Sequence, residues 1–446
     1  MAFSKFKVIF GGNRGIWIII AVLFMYSVLS VYSASVQLPG TNTTQHLFKH
    51  VFGLLIGVAC IYVIHKIPCK YFRKVSYLLY GLSIILLILT WLFAPEVNGA
   101  KRWLIIGPIT LQTSDFAKVA LIMFLANKLS KKEDEITSIG AFVKTILFPI
   151  LLTCFLIMPS NLSTALLVFF EAMVLLFFSC IDRRYFWGLV GVAAVSAGLL
   201  FCVILYGNIN IWRFPTWKAR VESWIEGNPN EADQVQVNNA RMAVASGGIL
   251  GRGPGNGHAK VKLANAHCDY IFANIVEETG LVFAAILIWL YIMLFYRAIT
   301  IVKKINKLEP DSELKPKYKF RQYLVLGLMS MIVIQALSNM AVSTDLMPVT
   351  GQTLPFVSYG NSSLLFIGFA IGVILSVSRE VDDATAPIAK ETEADGDVSI
   401  VADAAASTDN AYAASDTTTM ENEVSEPEEI IEDNELNIDE NERKQI

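Results

Sequence analysis

Apolar segments of about twenty residues recur along this chain, and they constrain its fold more than any other feature. An α-helix rises 1.5 Å per residue, so about 20 apolar residues cross the hydrocarbon core of a bilayer. Only 17% of the 446 residues are charged, where a soluble domain carries about a quarter. The pattern predicts an all-α polytopic membrane protein with ten transmembrane helices, at residues 16–36, 47–65, 77–94, 113–129, 142–158, 161–180, 186–206, 270–296, 322–343 and 355–377.

The distribution of Lys and Arg among the loops predicts how the chain crosses the membrane. The segments before span one and after spans two, four, six and eight are rich in both residues, whereas residues 37–46, 158–161 and 344–354 carry almost none. Lys and Arg accumulate on the cytoplasmic side of bacterial membrane proteins. We therefore expect a multi-pass protein of the cytoplasmic membrane with both termini in the cytoplasm.

Three regions are expected along the chain: a cytoplasmic N-terminus (1–15), a membrane domain (16–380) and a C-terminal tail (381–446). The tail is rich in Ala, Ser, Thr, Asp and Glu and has few large apolar residues, so the overall net charge of −3 hides an acidic end. Such a segment cannot bury enough surface to offset its ordering entropy. It is predicted to be a disordered acidic cytoplasmic tail.

The longest outer loop, residues 207–268 between spans seven and eight, has structure of its own. In "RFPTWKARVESWIEG" the apolar residues Trp217, Val221 and Trp224 recur at helical spacing, which predicts an amphipathic helix in the membrane interface. A second helical pattern, "VQVNNARMAVA", runs into "SGGILGRGPGNG". No strand precedes these glycines, so they do not match a phosphate-binding motif. They are interpreted as a flexible loop.

The stretch "NAHCDYIFANIVEETG" places carboxylates around the start of span eight. Asp269 lies at its outer edge, and Glu277 lies roughly 12 Å deeper at 1.5 Å per residue, with Glu278 beside it. A charge in mid-membrane costs about 2.5 kcal/mol or more, so such residues usually face a polar interior. Asp269 is either a helix cap or a catalytic group. Glu277 and Glu278 are either structural carboxylates or catalytic ones.

Cations also occur on the side where the topology disfavours them. Lys101 and Arg102 stand in the short loop at 95–112, and Asp115 and Lys118 open span four. Asp115 could cap that helix and pair with Lys118, and Arg102 could anchor to lipid headgroups. The functional alternative is a clamp for a phosphate, which Arg recognises in a bidentate manner and Lys as a point charge.

A third polar block is "MPVTGQTLPFVSYGNSSLLF", in which Pro and Gly interrupt an apolar stretch. Irregular backbone at membrane depth is tolerated only where it is buried in protein or lines a cavity. The block therefore predicts a polar cavity that opens outward beside Asp345 and includes Ser358, Tyr359 and Ser362. The six cysteines form no CxxC pair, so neither a disulfide framework nor a zinc site is indicated.

Together, "NGAKRW…GPITLQTSDFAK", "SGGILGRGPGNG…AHCDYIFANIVEETG" and "PVTGQTLPFVSYGNSSLL" resemble the signature blocks of the SEDS family, the FtsW/RodA-type peptidoglycan glycosyltransferases. The resemblance covers roughly residues 10–380. The "VYSAS" at the end of span one and the acidic tail favour the FtsW cell-division branch over the RodA elongation branch. The sequence departs from the family pattern at Asp115, Asn161 and Cys268, which replace glutamate, an acidic residue and threonine.

The resemblance implies an enzyme that polymerises lipid II into glycan strands at the outer face of the membrane and releases undecaprenyl pyrophosphate. It implies that Asp269 is the catalytic base, while Glu277, Glu278 and Asp115 are supporting carboxylates. The residues expected to bind substrate or pyrophosphate are Lys101, Arg102, Lys118, Arg252, His267, Ser358, Tyr359 and Ser362. No metal ligands are assigned, although a divalent cation (Mg or Mn) could assist.

The resemblance also implies partners: the lipid II substrate, a class B penicillin-binding protein (an FtsI-like transpeptidase), other divisome proteins and membrane lipid, but no nucleic acid. Three alternatives remain. Broken helices and intramembrane carboxylates also describe a transporter, here a lipid II flippase. The chain could instead be the elongation glycosyltransferase, or a scaffold that recruits partners through its tail. The irregular polar blocks concentrate on the outer side, which favours the enzyme over the flippase.

Overall fold

A computed structural model describes residues 11–35, 43–96, 100–107, 109–132, 136, 138–207, 213–226, 232–257, 268–308, 314–360 and 362–385. The predicted tail lies outside the described residues beyond Thr385, where the last helix ends. The helices are α1 (Arg14–Ser35), α2 (Thr43–Ile64), α3 (Cys69–Phe93), α4 (Thr113–Lys132), α5 (Ile139–Ile157), α6 (Leu162–Phe178), α7 (Arg183–Tyr206), α8 (Phe214–Glu226), α9 (Ala232–Gly247), α10 (Ile271–Asn306), α11 (Lys315–Ser343) and α12 (Ser362–Thr385).

Eight of these helices are long and apolar enough to cross a membrane: α1, α2, α3, α5, α7, α10, α11 and α12. This confirms the prediction of a polytopic helical membrane protein. The other two predicted spans also form helices. α4 carries several charged residues along its 20 residues, and α6 is a shorter apolar helix of 17 residues. The helices predicted in the 207–268 loop are present as α8 and α9.

The expectation of an all-α protein was wrong in one loop. Residues 103–112 form an antiparallel hairpin of β1 (Trp103–Ile106) and β2 (Ile109–Gln112), in which Trp103 faces Gln112. Five of these eight strand residues are Trp, Ile or Thr, which favour pleated backbone. The two residues between Ile106 and Ile109 fit a tight hairpin turn. The hairpin connects α3 to α4 and fixes where Arg102 lies.

The core of the bundle is built around α11 and α12. In each of them, 78% of the most apolar 18-residue stretch is buried inside the protein, whereas in α7 the buried share of that stretch is 11%. α11 packs against α4, α6 and α10. A helix that is apolar on all sides and surrounded by others belongs at a centre, and one that exposes apolar residues in a membrane protein faces lipid. The central position of α11 places its C-terminal end beneath the loop that follows it, residues 344–360.

α10 is longer than the predicted span 270–296 and is interrupted within its third turn. Gly280 has φ +81°, outside the helical region. The carbonyls of Glu277 and Glu278 instead accept hydrogen bonds from the backbone N–H groups of Arg252 and Gly253, at 3.0 and 2.9 Å. The interpretation of the glycine run as a flexible loop was therefore wrong. It packs against the break in α10 and satisfies the backbone groups that the break exposes.

Substitution of Gly280 by Ala is expected to destabilise the protein by about 2 kcal/mol or more. Gly280 combines φ +81° with ψ 177°, a region that only glycine occupies without strain. A Cβ there would also lie 2.3 Å from the carbonyl oxygen of Ile249, which belongs to backbone and cannot rotate away. Thermal unfolding in detergent micelles measures the effect. The matched control is Gly191→Ala in α7, where a Cβ meets nothing within 4 Å. Equal melting temperatures for the two variants would contradict the expectation.

Candidate functional site

Three arginines from separate segments converge where α5 turns into α6. Arg102, which precedes β1, donates from Nε to the carbonyl oxygen of Ser160 at 3.3 Å. Arg213, which precedes α8, donates from Nη1 to the same oxygen at 2.9 Å. Arg220 of α8 donates to the carbonyl of Val349 at 3.4 Å. We call Arg102, Arg213 and Arg220 the arginine cluster.

The arginine cluster brings three positive charges together, which costs electrostatic free energy. Burial and the nearby positive charges of Arg213 and Arg220 together lower the pKa of Arg102 to about 10. Asp269 acts in the opposite direction. Guanidinium groups held this close repel one another unless an anion lies among them. The arrangement therefore fits a site for a phosphate or pyrophosphate group.

Asp269 lies beside this cluster, in the turn that leads into α10. A Cβ placed on Gly351 would be 3.7 Å from Arg102 Nη1 and 3.8 Å from Asp269 Oδ2, so both charged groups flank the same point. Burial raises the pKa of Asp269, while Arg102 and Arg220 lower it. The N-cap of α10 is Tyr270, which makes no side-chain capping bond. Of the two roles that the sequence allowed for Asp269, helix cap or catalytic group, the structure does not support the helix cap.

Hydrogen bonds fix the backbone around Asp269. The side-chain amide of Asn339, in α11, donates to the carbonyl of Asp269 at 2.8 Å and to that of Gln352 at 2.7 Å. On the other side, the hydroxyl of Ser358 donates to the carbonyl of Cys268 at 2.7 Å. These bonds join the turn before α10 to the irregular segment at 350–358. They hold the carboxylate in place through its own main chain.

Below the turn lies a buried polar network centred on Lys118. Its ammonium group is 3.1 Å from the carboxylate of Asp115, so the predicted pair is present. It also donates to the side chains of Gln335 at 2.8 Å and Gln352 at 3.3 Å. Gln352 in turn donates to the hydroxyl of Thr164 at 2.7 Å. Lys118 is 2% exposed, so the network supports the 350–358 segment from beneath and keeps Lys118 out of the arginine cluster.

Two other predicted cations also lie outside the arginine cluster. The ammonium group of Lys101 donates to the carbonyl of Trp91 at 3.3 Å, near the end of α3. Arg252 is exposed, and its Nε donates to the carbonyl of Ser246, next to the glycine run. The structure therefore brings only Arg102, among the predicted cations of this group, next to Asp269.

The polar residues predicted in the third block have different positions. Ser358 is buried and bonded as described above, and it also accepts a hydrogen bond from the backbone N–H of Leu354 at 2.8 Å. The ring of Tyr359 stacks on that of His46, with centroids 4.2 Å apart. Ser362 is half-buried at the start of α12. His267 lies outside the described residues.

Glu277 and Glu278 lie against the glycine run and α1. Ser246 donates to the Glu277 carboxylate at 3.4 Å, and Ser33 of α1 donates to that of Glu278. A Cβ on Gly257 would lie 2.8 Å from Glu277 Oε2, so the loop passes directly over these carboxylates. Both side chains are buried. Their contacts fit the structural interpretation, in which they hold α1, α9 and the glycine run together.

Several residues of the site escaped sequence reasoning. Arg213 and Arg220 lie in the 207–268 loop, and nothing in their spacing connects them with Arg102. Asn339 had a signal that went unused: it is an amide within the predicted span 322–343. Glu171 of α6 was missed too. It is 1% exposed, and neither carboxylate oxygen has a hydrogen-bond partner among the described residues.

Asn161 explains one departure from the family pattern. It is the N-cap of α6: its side-chain oxygen accepts from the N–H of Thr164 at 3.3 Å, and its amide donates to the carbonyl of Thr350 at 3.2 Å. An acidic residue could accept the first bond but, when ionised, could not donate the second. In this chain the position therefore ties α6 to the 350–358 segment.

An apolar cavity of about 190 Å³ adjoins the arginine cluster. It lies between α6, α7, α8 and residues 348–349, and its lining includes Arg213 and Arg220. The remaining lining is largely aliphatic and aromatic, with Leu162, Leu166, Leu200, Phe201, Ile204 and Trp217. Cations at the rim of an apolar cavity suit an amphiphile with an anionic head and a hydrocarbon chain.

Comparison with known proteins agrees with this picture. A family model described as cell cycle protein, covering FtsW, RodA and SpoVE, matches residues 13–383. A relative from Coxiella burnetii is named probable peptidoglycan glycosyltransferase FtsW. It is 28% identical over 376 residues, and the alignment covers 82% of this chain and 96% of the relative. A protein of the same name from Geobacter metallireducens is 30% identical over 372 residues, covering 80% of this chain and 92% of the relative.

Solved structures share the fold. A chain of a peptidoglycan synthase complex that coordinates polymerization and crosslinking aligns with a TM-score of 0.66 and 23% identity, covering 83% of this chain and 98% of the other. The rod shape determining protein RodA of Thermus thermophilus aligns with a TM-score of 0.58 and 23% identity. The alignment covers 83% of this chain and 97% of the RodA chain.

Proposed function

Because the chain belongs to the FtsW/RodA/SpoVE family of cell cycle proteins, we propose that it is a peptidoglycan glycosyltransferase of the cell-division branch. The observation that carries the proposal is the pairing of one carboxylate with the arginine cluster: Asp269 and Arg102 flank a single point beside Gly351. A glycosyl transfer from a lipid pyrophosphate needs a base that takes the proton of the attacking hydroxyl. It also needs cations that stabilise the negative charge on the leaving pyrophosphate. This site offers both within a few ångströms.

The reaction joins lipid II units into a glycan strand. The 4-hydroxyl of the sugar on one lipid II attacks the anomeric carbon of the growing strand, and a new C–O bond replaces the bond to undecaprenyl pyrophosphate. A neutral hydroxyl is a poor nucleophile, so a base must take its proton. Asp269 is the base in this proposal, because burial raises its pKa and makes its carboxylate more basic than a free aspartate.

The leaving pyrophosphate develops negative charge as the bond breaks. Arg102, Arg213 and Arg220 are placed to stabilise that charge, since preorganised cations in a partly dry site cost no reorganisation during the reaction. The adjoining cavity of about 190 Å³ would hold part of the polyprenyl chain. Charge and hydrocarbon are thus bound by neighbouring parts of one site.

The described residues offer no site that would hold a divalent cation through protein side chains alone. No group of three or more His, Cys, Asp or Glu side chains among them could hold a metal ion. Among the described residues, Asp269 is the carboxylate that lies beside the arginine cluster, and its neighbours Arg102 and Arg220 would repel a metal ion. No step of the proposed reaction is therefore routed through Mg or Mn.

The membrane topology in this proposal follows the distribution of Lys and Arg. Ten spans, with α4 and α6 included, leave both termini in the cytoplasm, and residues 207–268 form the long outer loop between helices seven and eight. Asp269 and the arginine cluster then face the cell exterior, where lipid II is used. α8 lies in the outer interface, with exposed Trp224 and Ile225 toward the lipid.

The expected partner is a class B penicillin-binding protein that cross-links the strands. The support is a solved chain of similar fold that belongs to a synthase complex coordinating polymerization and crosslinking. A division role would add other divisome proteins.

The pH dependence of activity is expected to report on Asp269. The reaction needs the carboxylate ionised, so kcat/KM falls as the pH drops through its pKa, which burial places above the usual value near 3.9. Arg220 favours the ionised form, so Arg220→Gln raises that pKa further and moves the acidic limb of the profile to higher pH. The pH profile of kcat/KM for the two proteins measures the shift. An acidic limb unmoved by the substitution argues against Asp269 as the titrating group.

Polymerisation of labelled lipid II tests the proposal directly. The purified full-length chain is reconstituted in liposomes with and without its transpeptidase partner, and glycan strands are separated by size. Polymer formation supports the enzyme. Transport of lipid II across the bilayer without polymer establishes the flippase instead. A chain truncated after Thr385 that keeps full turnover excludes a scaffold acting only through its tail.

A further inference from the structure

A second cluster of cations lies at the ends of α3, α4 and α11 that are far from the arginine cluster. The first turns of α3 and α11 and the last turn of α4 enclose a pocket of about 480 Å³. Six basic side chains line it: Lys70, Arg73, Lys74, Lys131, Lys317 and Arg321. We call this the basic pocket. The glycosyl transfer proposed above makes no use of it.

Carboxylates in the described part of the chain neutralise little of this charge. Glu380, at the end of α12, pairs with Arg321 and accepts a hydrogen bond from the N–H of Cys69 at 2.7 Å. No ion pair within that part of the chain involves any of the other five cations. The Nε of Arg73 is buried and has no hydrogen-bond partner among the described residues. Within the described residues, the pocket therefore carries a strong positive charge and an unsatisfied donor.

Two helix N-termini add to the positive potential. Both α3, which begins at Cys69, and α11, which begins at Lys315, have their first turns at the pocket, and neither N-cap residue makes a side-chain capping bond. The N–H groups of a first helical turn and the helix dipole favour anions. At α3 one of these N–H groups, that of Cys69, already donates to Glu380. Cations and helix ends together indicate a ligand that carries a phosphate.

The surroundings of the basic pocket indicate that this phosphate belongs to a lipid. Tyr77, one turn from Lys74, is 39% exposed, and the ammonium group of Lys131 lies 5.3 Å from its ring centroid. Tyrosine at the end of a membrane span marks headgroup depth. Further along α3, Leu78, Leu82 and Ile85 are exposed on one helical face. This apolar stripe starts at the pocket and runs toward the bilayer centre, as an acyl chain does.

We propose that the basic pocket binds the phosphate headgroup of an anionic glycerophospholipid in the cytoplasmic leaflet, with one acyl chain along Leu78, Leu82 and Ile85. Basic pockets between helices on that side are suited to anionic headgroups. The acidic tail of this chain is a competing occupant by charge. The apolar stripe favours the lipid, because the acidic tail has few large apolar residues that could pack against it. The site is independent of catalysis and rests on the topology given by the Lys and Arg distribution.

Native mass spectrometry of the full chain tests the proposal, with phosphatidylglycerol and phosphatidylcholine of identical acyl chains as probes. The wild type is expected to retain phosphatidylglycerol preferentially. Each basic residue near a charged headgroup contributes about fivefold in affinity, so the double variant Arg73→Gln/Lys317→Gln is expected to bind phosphatidylglycerol about 25-fold more weakly. The control Lys303→Gln/Lys307→Gln removes two exposed charges of the same side outside the pocket and is expected to change binding less than twofold.

Three outcomes overturn the proposal. One is equal retention of phosphatidylglycerol by the pocket variant and the control. Another is strong binding of phosphatidylglycerol only after the chain is truncated following Thr385. In that case the acidic tail occupies the basic pocket in the full-length chain. The third comes from Leu78→Ser/Leu82→Ser, which leaves every cation in place: if this variant binds phosphatidylglycerol as well as the wild type, and inorganic phosphate displaces the lipid, the site is one for a free anion. Melting temperatures in phosphatidylcholine alone verify that each variant is folded.

Discussion

Asp269→Asn is expected to lower the rate of lipid II polymerisation about a thousandfold while leaving the protein folded. General base catalysis contributes about 10²–10⁴-fold, and asparagine keeps the size of the side chain but cannot take a proton. The backbone bonds from Asn339 and Ser358 do not involve the carboxylate, so the turn keeps its conformation. Initial rates of strand formation in liposomes, at saturating lipid II, measure the loss.

Asp345→Asn is the matched control for that experiment. Asp345 follows α11 at the same end of the bundle and pairs with Arg241 at 3.2 Å, away from the arginine cluster. An exposed pair of this kind is worth little, so activity within about twofold of wild type is expected. If Asp269→Asn polymerises lipid II at the wild-type rate, Asp269 is not the base, and Glu277 and Glu278 become the candidates to test.

Arg102→Gln is expected to lower kcat/KM about a hundredfold, with most of the loss in kcat. Removing one preorganised donor from a developing anion typically costs about 10²–10³-fold. Arg213 and Arg220 remain and keep part of the stabilisation, so the lower end of that range applies. Since charge on pyrophosphate grows only as the glycosidic bond breaks, the transition state loses more than the bound substrate does.

Two variants separate this effect from a loss of packing. Arg102→Lys keeps the charge but loses the planar guanidinium, so it should recover part of the rate. Arg241→Gln removes an exposed arginine of the same side that lies outside the arginine cluster, and near-normal kinetics are expected. The assignment fails if Arg102→Gln raises only KM and leaves kcat unchanged, since Arg102 would then bind lipid headgroups in the ground state alone.

The membrane fold was predictable from the sequence because hydrophobic length is a local property. Each span needs only its own residues to be recognised, and eight of the helices meet the length and composition of a membrane span. The hairpin at 103–112 was not predicted, because its two strands of four residues are too short to produce a distinctive pattern. The break at Gly280 was missed for another reason: its partners, Arg252 and Gly253, are distant in the chain.

The site was predictable only in part. Asp269 and Arg102 were found from motifs that surround each of them. Arg213 and Arg220 join the cluster through tertiary contacts with the backbone carbonyls of Ser160 and Val349. Every residue has a backbone carbonyl, so the sequence does not reveal these contacts. Lys118 shows the converse error. Its motif suggested a ligand-binding cation, whereas burial beside Asp115 and Gln352 makes it part of the internal support.

The single amide of Asn339 has a consequence for how the site measures its substrate. It holds the carbonyls of Asp269 and Gln352 at once, so it joins the turn before α10 to the 350–358 segment. That segment continues from Val349 and Pro348, which line the apolar cavity. The main chain that lines the cavity is thus continuous with the main chain that Asn339 joins to the carboxylate. One connected piece of backbone therefore sets the spacing between the place of the hydrocarbon chain and the place of the base, so the length of the lipid between its head and its tail is matched to the site by the main chain itself.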